Sequence, residues 1–240
     1  MRFWQLKVNC NKLLYNRFML SALFAIFVVG ILLIMSEYLW RQKILKGEYG
    51  RKLLHLSLGL FIASWPYFLE VEAIKIISIA AFVTLLISRK FKIFHAIYDV
   101  SRLTYGDLFY PLSIFLIALF AKADWIFAVS VLFVALADGM AAFVGKKWGT
   151  KKYTYYVGKS KKTVIGTLAY IVFAYVSLFI GLLIGGSHVL TSNPFIVFVW
   201  LPLASSILEA VSPYGTDNIT APLLVLAVLN LLWMQSSGLT

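Results

Sequence analysis

Residues 134–150 read "VALADGMAAFVGKKWGT". An apolar run carries an aspartate, then small residues, then paired lysines. If the run lies in hydrocarbon, Asp138 needs a cation beside it, because an ionised group at membrane depth is costly. The fold therefore turns on whether this stretch belongs to a membrane span.

Composition says that it does. Of 240 residues, 61% are apolar and 13% are charged, against about 25% charged in soluble domains. Eight mostly apolar windows recur, at 18–40, 53–69, 73–87, 108–121, 125–144, 164–185, 195–211 and 219–234. Crossing about 30 Å of hydrocarbon takes about 20 residues at 1.5 Å each. The windows 73–87 and 108–121 are short, and read as tilted or re-entrant pieces. The expectation is an all-α, polytopic transmembrane helical bundle of seven or eight spans. The runs are continuous rather than alternating, which argues against a β-barrel. Residues 18–240 read as one membrane-embedded domain, preceded by a basic segment, 1–17.

The formal charge of +12 does not point to nucleic acid, because the basic residues sit almost wholly between spans. Loops 41–52, 88–107 and 145–163 hold five, four and seven Lys or Arg. With eight spans these loops and 212–218 share one side, cytoplasmic by the positive-inside rule. Segment 1–17 carries Arg2, Lys7, Lys12 and Arg17 and falls on the other side. Phe3, Trp4, Leu13 and Leu14 fit it to the interface. The single cysteine, Cys10, allows no intramolecular disulfide and no thiolate metal site. Window 18–40 is long for a signal-peptide core and no small-residue cleavage site follows it.

Four polar clusters fall on the cytoplasmic side. In "GRKLLHLSLG" (50–59), Arg51, Lys52 and His55 open a span, and Gly59 follows one turn beyond His55. The bland reading is headgroup anchoring by the cations, with His55 and Gly59 at a helix contact, on the lipid side or in support of the site. In the opening stretch, Asp138, Ala141 or Ala142, and Gly145 share a helix face. The third cluster, "GKKWGTKKYTYYVGKSKKT" (145–163), has seven lysines, no acid and three glycines. Lysines bind phosphate as point charges and glycines admit an anion to backbone amides. The phosphate-loop pattern fails, since Tyr153 stands five residues before Gly158, and no strand is read ahead of it. A solvated positive-inside loop with aromatic anchors is the plain alternative. In "SSILEAVSPYGTDNITAPL" (205–223), Glu209 closes a span and Asp217-Asn218 opens the next. Irregular backbone survives at membrane depth only beside protein or water. Carboxylates at such a break suit Mg²⁺, with substrate phosphates completing its shell. An N-cap explains Asp217, but not Glu209 inside an apolar run. Together the clusters suit a metal-bound nucleotide polyphosphate meeting a lipid at one membrane face.

The tracts "RKLLHLSLG", "YGDLFYPLS", "ADGMAAFVGKKWG", "KSKKTVIGT" and "LEAVSPYGTDNITAPL" occur in that order between residues 51 and 224. In this they resemble the CTP-dependent integral-membrane lipid kinases: phytol and farnesol kinases, dolichol kinase and CTP-dependent diacylglycerol kinase. These are distant relatives of phosphatidate cytidylyltransferases. "RKLLHLSLGLFIASWP" and "DNITAPL" look most like the phytol-kinase branch. The resemblance implies a kinase moving the γ-phosphoryl group of CTP, with Mg²⁺, to a bilayer alcohol such as phytol, farnesol, a polyprenol or diacylglycerol. It implies Arg51, Lys52, Asp138 and Asp217 as catalytic candidates, and Asp138, Glu209 and Asp217 as metal ligands. Nucleotide contacts fall to Gly145, Lys146, Gly149, Lys159, Lys161, Lys162, Thr163, Gly166 and Asn218. Ile165 stands where many relatives have glutamate. Two alternatives stay open: cytidylyl transfer to phosphatidate, and a transporter with Asp138 and Glu209 as ion sites.

Overall fold

Every apolar window forms a helix. The computed structural model describes residues 2–91, 93–99, 103–150, 153–157 and 160–238, and of residues 2–17 and 160 the backbone alone. Helix α1 covers Arg2–Arg41, α2 Gly47–Ala63, α3 Val71–Phe91, the single turn α4 His95–Tyr98, and α5 Gly106–Phe120. There follow α6 Asp124–Trp148, α7 Val164–Ser192, α8 Ile196–Val211 and α9 Asp217–Ser236. Five helices are long and apolar enough to cross a membrane: Phe18–Arg41 of α1, α3, α6, α7 and α9. Helices α5 and α8 are shorter apolar helices, and α2 has 17 residues. The protein is an all-α, multi-pass membrane bundle. Window 73–87 lengthens to the 21 residues of α3. The basic segment continues α1 back to Arg2. Its expected place along an interface rests on side chains outside the described ones.

Hydrophobicity on all faces marks α6 as the core element. Its span is 78% buried, whereas that of α1 is 6% buried. Around α6 pack α2, α5, α7 and α9, with Phe133, Val129, Ile117, Leu178, Tyr170 and Leu229 fully enclosed. Lipid tails are as apolar as leucine, so close packing at small residues holds such helices together. Helix α1 turns Leu20, Phe27 and Ile34 outward.

Loop 145–163 holds two short strands, where the sequence promised only a loop. Strand β1, Thr154–Val157, pairs antiparallel with β2, Ser160–Thr163, in the register Thr154↔Thr163, Tyr155↔Lys162, Tyr156↔Lys161 and Val157↔Ser160. Tyrosine, threonine and valine are good strand formers. A strand does therefore precede Gly158-Lys159-Ser160, contrary to expectation. It leads into a second strand rather than a helix, so the fold of a phosphate loop is still absent.

At one end of the bundle, the start of α2, the starts of α5 and α9, and the ends of α6 and α8 converge. There Asp99 accepts from Trp40 Nε1 of α1 and from the Gly47 N–H of α2, both at 2.9 Å. The Tyr105 N–H donates to the Tyr214 carbonyl at 2.8 Å. The far end is closed by Asn230 of α9. It accepts from the Lys122 N–H at 3.1 Å and donates to the Phe120 carbonyl at 2.9 Å.

Candidate active site

Three carboxylates from three helices meet at the convergent end. Asp138 follows a π-helical turn, Phe133–Ala137, within α6. Such a turn inserts a residue into the helical ladder and is frequent at functional sites. His55 Nε2 lies 3.0 Å from the Val134 carbonyl in this turn. Glu209 stands near the end of α8, and Asp217 begins α9. Between them the chain reverses through Tyr214 and Gly215, whose φ angles are 54° and 89°. One carboxylate oxygen of each of Asp138, Glu209 and Asp217 lies within 4.8 Å of the others. All three residues are buried.

Two lysines answer this charge. Lys52 Nζ donates to Asp138 Oδ2, and Lys162 Nζ to Glu209 Oε1. Lys162 also reaches the Glu209 carbonyl at 3.2 Å, and His55 Nε2 lies 3.9 Å from Asp138. Burial alone would lower the Lys162 pKa, but the Glu209 carboxylate and its hydrogen bond outweigh that and raise it. Among the described residues, Lys52 and Lys162 thus pair with two of the three carboxylates. Oxygen ligands so close together fit a hard divalent cation.

Strand alternation separates neighbours that sequence grouped together. Lys162 turns inward, whereas Lys161 is exposed. Lys146 is also exposed, with Nζ 4.6 Å from the centre of the Tyr49 ring. Lys159 lies outside the described residues.

The glycines Gly145, Gly149 and Gly166 form a crossing of α6 over α7. A Cβ on Gly166 would stand 3.0 Å from the Ala141 carbonyl oxygen and 3.3 Å from Gly145 Cα. A Cβ on Gly149 would run into the Gly145 carbonyl and Thr163. Thr163 caps α7, accepting from the Gly166 N–H at 3.1 Å. The small-residue groove beside Asp138 is thus filled by a helix. Gly59 packs against Ala135 of the π turn and the Tyr110 hydroxyl, where a Cβ would collide with both. The His55 and Tyr110 rings meet at 4.1 Å, tilted by 41°. His55 and Gly59 are both buried at this contact between helices.

Arg51 pairs with Glu48, while Lys52 takes Asp138. Arg51 Nη1 lies 3.5 Å from where a Cβ on Gly106 would stand. Asn218 Nδ2 donates to the Gly106 carbonyl at 2.8 Å. Gly215 packs on Gly106 so tightly that a Cβ would meet the Gly106 nitrogen at 2.5 Å. The tract "TYGD", 104–107, is therefore the floor under the α8–α9 reversal. Sequence reading quoted "YGDLFYPLS" without giving its residues a place. It also missed Glu48, Arg89 and Tyr110. The signal was there for Arg89 and Asp107, an opposite-charge pair flanking a loop, which join at 3.2 Å.

Comparison with known proteins gives the setting. The chain is 30% identical over 201 residues to phytol kinase of Synechocystis, covering 81% of this chain and 84% of the relative. It is 28% identical over 217 residues to a probable phytol kinase 1, chloroplastic, of Glycine max, covering 80% and 69%. To CTP-dependent diacylglycerol kinase 1 of Schizosaccharomyces pombe it is 28% identical over 219 residues, covering 82% and 99%. No family model matches the chain, and no solved structure matches it significantly. Thirty per cent identity to a phytol kinase over four fifths of its length places this chain in the CTP-dependent lipid kinase family, in its phytol-kinase branch.

Proposed function

We propose that the chain transfers the γ-phosphoryl group of CTP to the hydroxyl of a long-chain lipid alcohol: phytol, farnesol, a polyprenol or diacylglycerol. The observation that carries this reading is the buried triad Asp138, Glu209 and Asp217 with Lys52 and Lys162 upon it. Phosphoryl transfer asks for in-line positioning and charge neutralisation more than for covalent chemistry. A site of clustered carboxylates and ammonium groups offers both. The alcohol oxygen forms a bond to the γ-phosphorus as the bond to the bridging oxygen breaks, and CDP leaves. The alcohol proton passes to a carboxylate of the cluster.

Asp138, Glu209 and Asp217 would hold Mg²⁺, which supplies charge neutralisation on the triphosphate oxygens when bound. Lys52 and Lys162, now on Asp138 and Glu209, would be the ammonium groups available to phosphate oxygens. Arg51, beside Lys52, guards the approach to the cluster. The site belongs to the single membrane domain, 18–240, at its cytoplasmic face, where the most basic loops converge. No separate catalytic module is needed.

The test is transfer of label from γ-labelled CTP, with Mg²⁺, by purified protein in lipid nanodiscs. Phytol, farnesol, a polyprenol, diacylglycerol and phosphatidate are offered in turn, with Asp138→Asn as control. Labelled lipid monophosphate, lost in the variant and on chelation of Mg²⁺, is the expected result. Pyrophosphate released with phosphatidate, and no labelled lipid, would reassign the site to cytidylyl transfer.

A further inference from the structure

Beside the carboxylate cluster, a cleft of about 490 Å³ is lined by Trp40, Arg51, Arg89, His95, Leu103 and Asp107 among others. Its volume lies in the range of small-molecule sites, about 300–1,000 Å³. Resting on the lipid-kinase reading, we propose that this cleft receives the nucleotide's base, and that Asp107 selects cytosine over uracil by accepting the exocyclic amine.

The position supports this. Arg51 lines the cleft and is the chain neighbour of Lys52, which lies on Asp138. Gly106, next to Asp107, accepts from Asn218, the chain neighbour of Asp217. The cleft and the cluster are thus joined at Gly106, which both Arg51 and Asn218 approach. A triphosphate seated on the carboxylates and lysines has its nucleoside end at this opening.

Spare hydrogen-bonding capacity agrees in kind. Asp107 Oδ1 accepts from Arg89 Nη1 at 3.2 Å, while Oδ2 is enclosed and, among the described residues, finds no partner beyond the N–H groups of its own helix start. Arg51 Nη2 donates to Glu48, while Nε is buried without a partner. Buried polar atoms are seldom left so, and a ligand that pairs them relieves the cost. One acceptor with spare capacity and one unused donor stand on two lining residues. Cytosine presents a donor amine at N4 beside the acceptors N3 and O2, and carboxylates accept from that amine. Uracil presents O4 in its place, an acceptor facing an acceptor. The cleft also has a flat apolar wall. Trp40 and His95 stack at 5.0 Å with 14° between their planes, and Asp99 fixes the indole N–H.

The experiment compares kcat/KM for CTP and UTP at saturating lipid alcohol, in wild type and Asp107→Asn. The asparagine amide can donate to O4. The expected result is a fall of about tenfold in the preference for CTP over UTP, the size of one good base-edge pairing, with the alcohol KM unchanged. An unchanged ratio, or equal losses with both nucleotides, overturns the proposal. Because Asp107 also pairs with Arg89, the exposed Leu103 provides a second variant. Leu103→Trp narrows the cleft and should raise the CTP KM several-fold while leaving that of the alcohol alone. A CTP KM that does not move overturns the base site. A wild type silent with every donor and alcohol sinks the lipid-kinase reading itself, and this proposal with it.

Discussion

The ammonium group of Lys52 lies on the carboxylate of Asp138, although 86 positions separate the two residues in the chain. Both are buried within the bundle. Each makes the other tolerable, for a charge left alone there costs several kcal/mol. The aspartate inside an apolar run and the lysine at the head of a span are therefore one feature of the fold.

Removing one partner should show this. Lys52→Met leaves Asp138 without its principal cation, and a loss of about 3–5 kcal/mol is expected for a broken buried pair. Lys52→Met with Asp138→Asn should recover much of that loss. Thermal unfolding in detergent of the two single variants and the double variant measures it. Additive losses would show that the residues do not depend on one another.

Gly59 is the point where α2 meets the π turn of α6. Alanine there meets Ala135 and the Tyr110 hydroxyl, and overpacking of this kind costs about 1–3 kcal/mol. Gly59→Ala should lower the melting temperature and weaken the His55 contact to Val134. Gly30, with nothing within 4 Å of its added Cβ, is the control. Equal melting temperatures for the two variants would argue against the close crossing.

Asn218 bonds the Gly106 carbonyl and is 2% exposed. Asn218→Ala removes that bond, at about 0.5–1.5 kcal/mol. Asn218→Asp should be worse, because it sets an acceptor against an acceptor beside the carboxylate cluster. Unfolding curves that rank aspartate above alanine would contradict this.

The Asp99 pKa is lowered by the Gly47 N–H and then by the Trp40 indole N–H. A depressed carboxylate stabilises the fold above its unfolded value of about 3.9, and that stability is lost as pH falls through the folded value. The difference in melting temperature between wild type and Asp99→Asn should stay constant from pH 7 to about pH 5. It should then shrink as the pH falls below about 4. The effect is small, because solvent screens this group. A difference that grows toward acid would reverse the sign of the argument.

Glu209→Gln removes one oxygen anion from the triad and leaves Lys162 without its carboxylate. If these groups hold the cation, the Mg²⁺ concentration for half-maximal activity should rise about tenfold or more, with the alcohol KM little changed. That corresponds to about 1.4 kcal/mol of lost binding. Magnesium titration of the kinase assay reads it directly. An unaltered Mg²⁺ requirement would remove Glu209 from the ligand set.

The sequence alone established the all-α membrane bundle and marked the four polar clusters. These are local properties: a bilayer demands long unbroken apolar runs, so each polar group that interrupts one stands out. Asp138, Glu209 and Asp217 were legible for that reason. Only the tertiary structure decided which charge meets which. It set Lys52 rather than Arg51 on Asp138, turned Lys162 in and Lys161 out, and spent Gly145 and Gly166 on a helix crossing. It also laid "TYGD" beneath the reversal before Asp217. Those pairings join residues up to 112 positions apart, and local periodicity carries no information about which helices cross. The physical reason is that packing among helices of similar hydrophobicity is decided by the shapes at each crossing, and those shapes exist only once the bundle has formed.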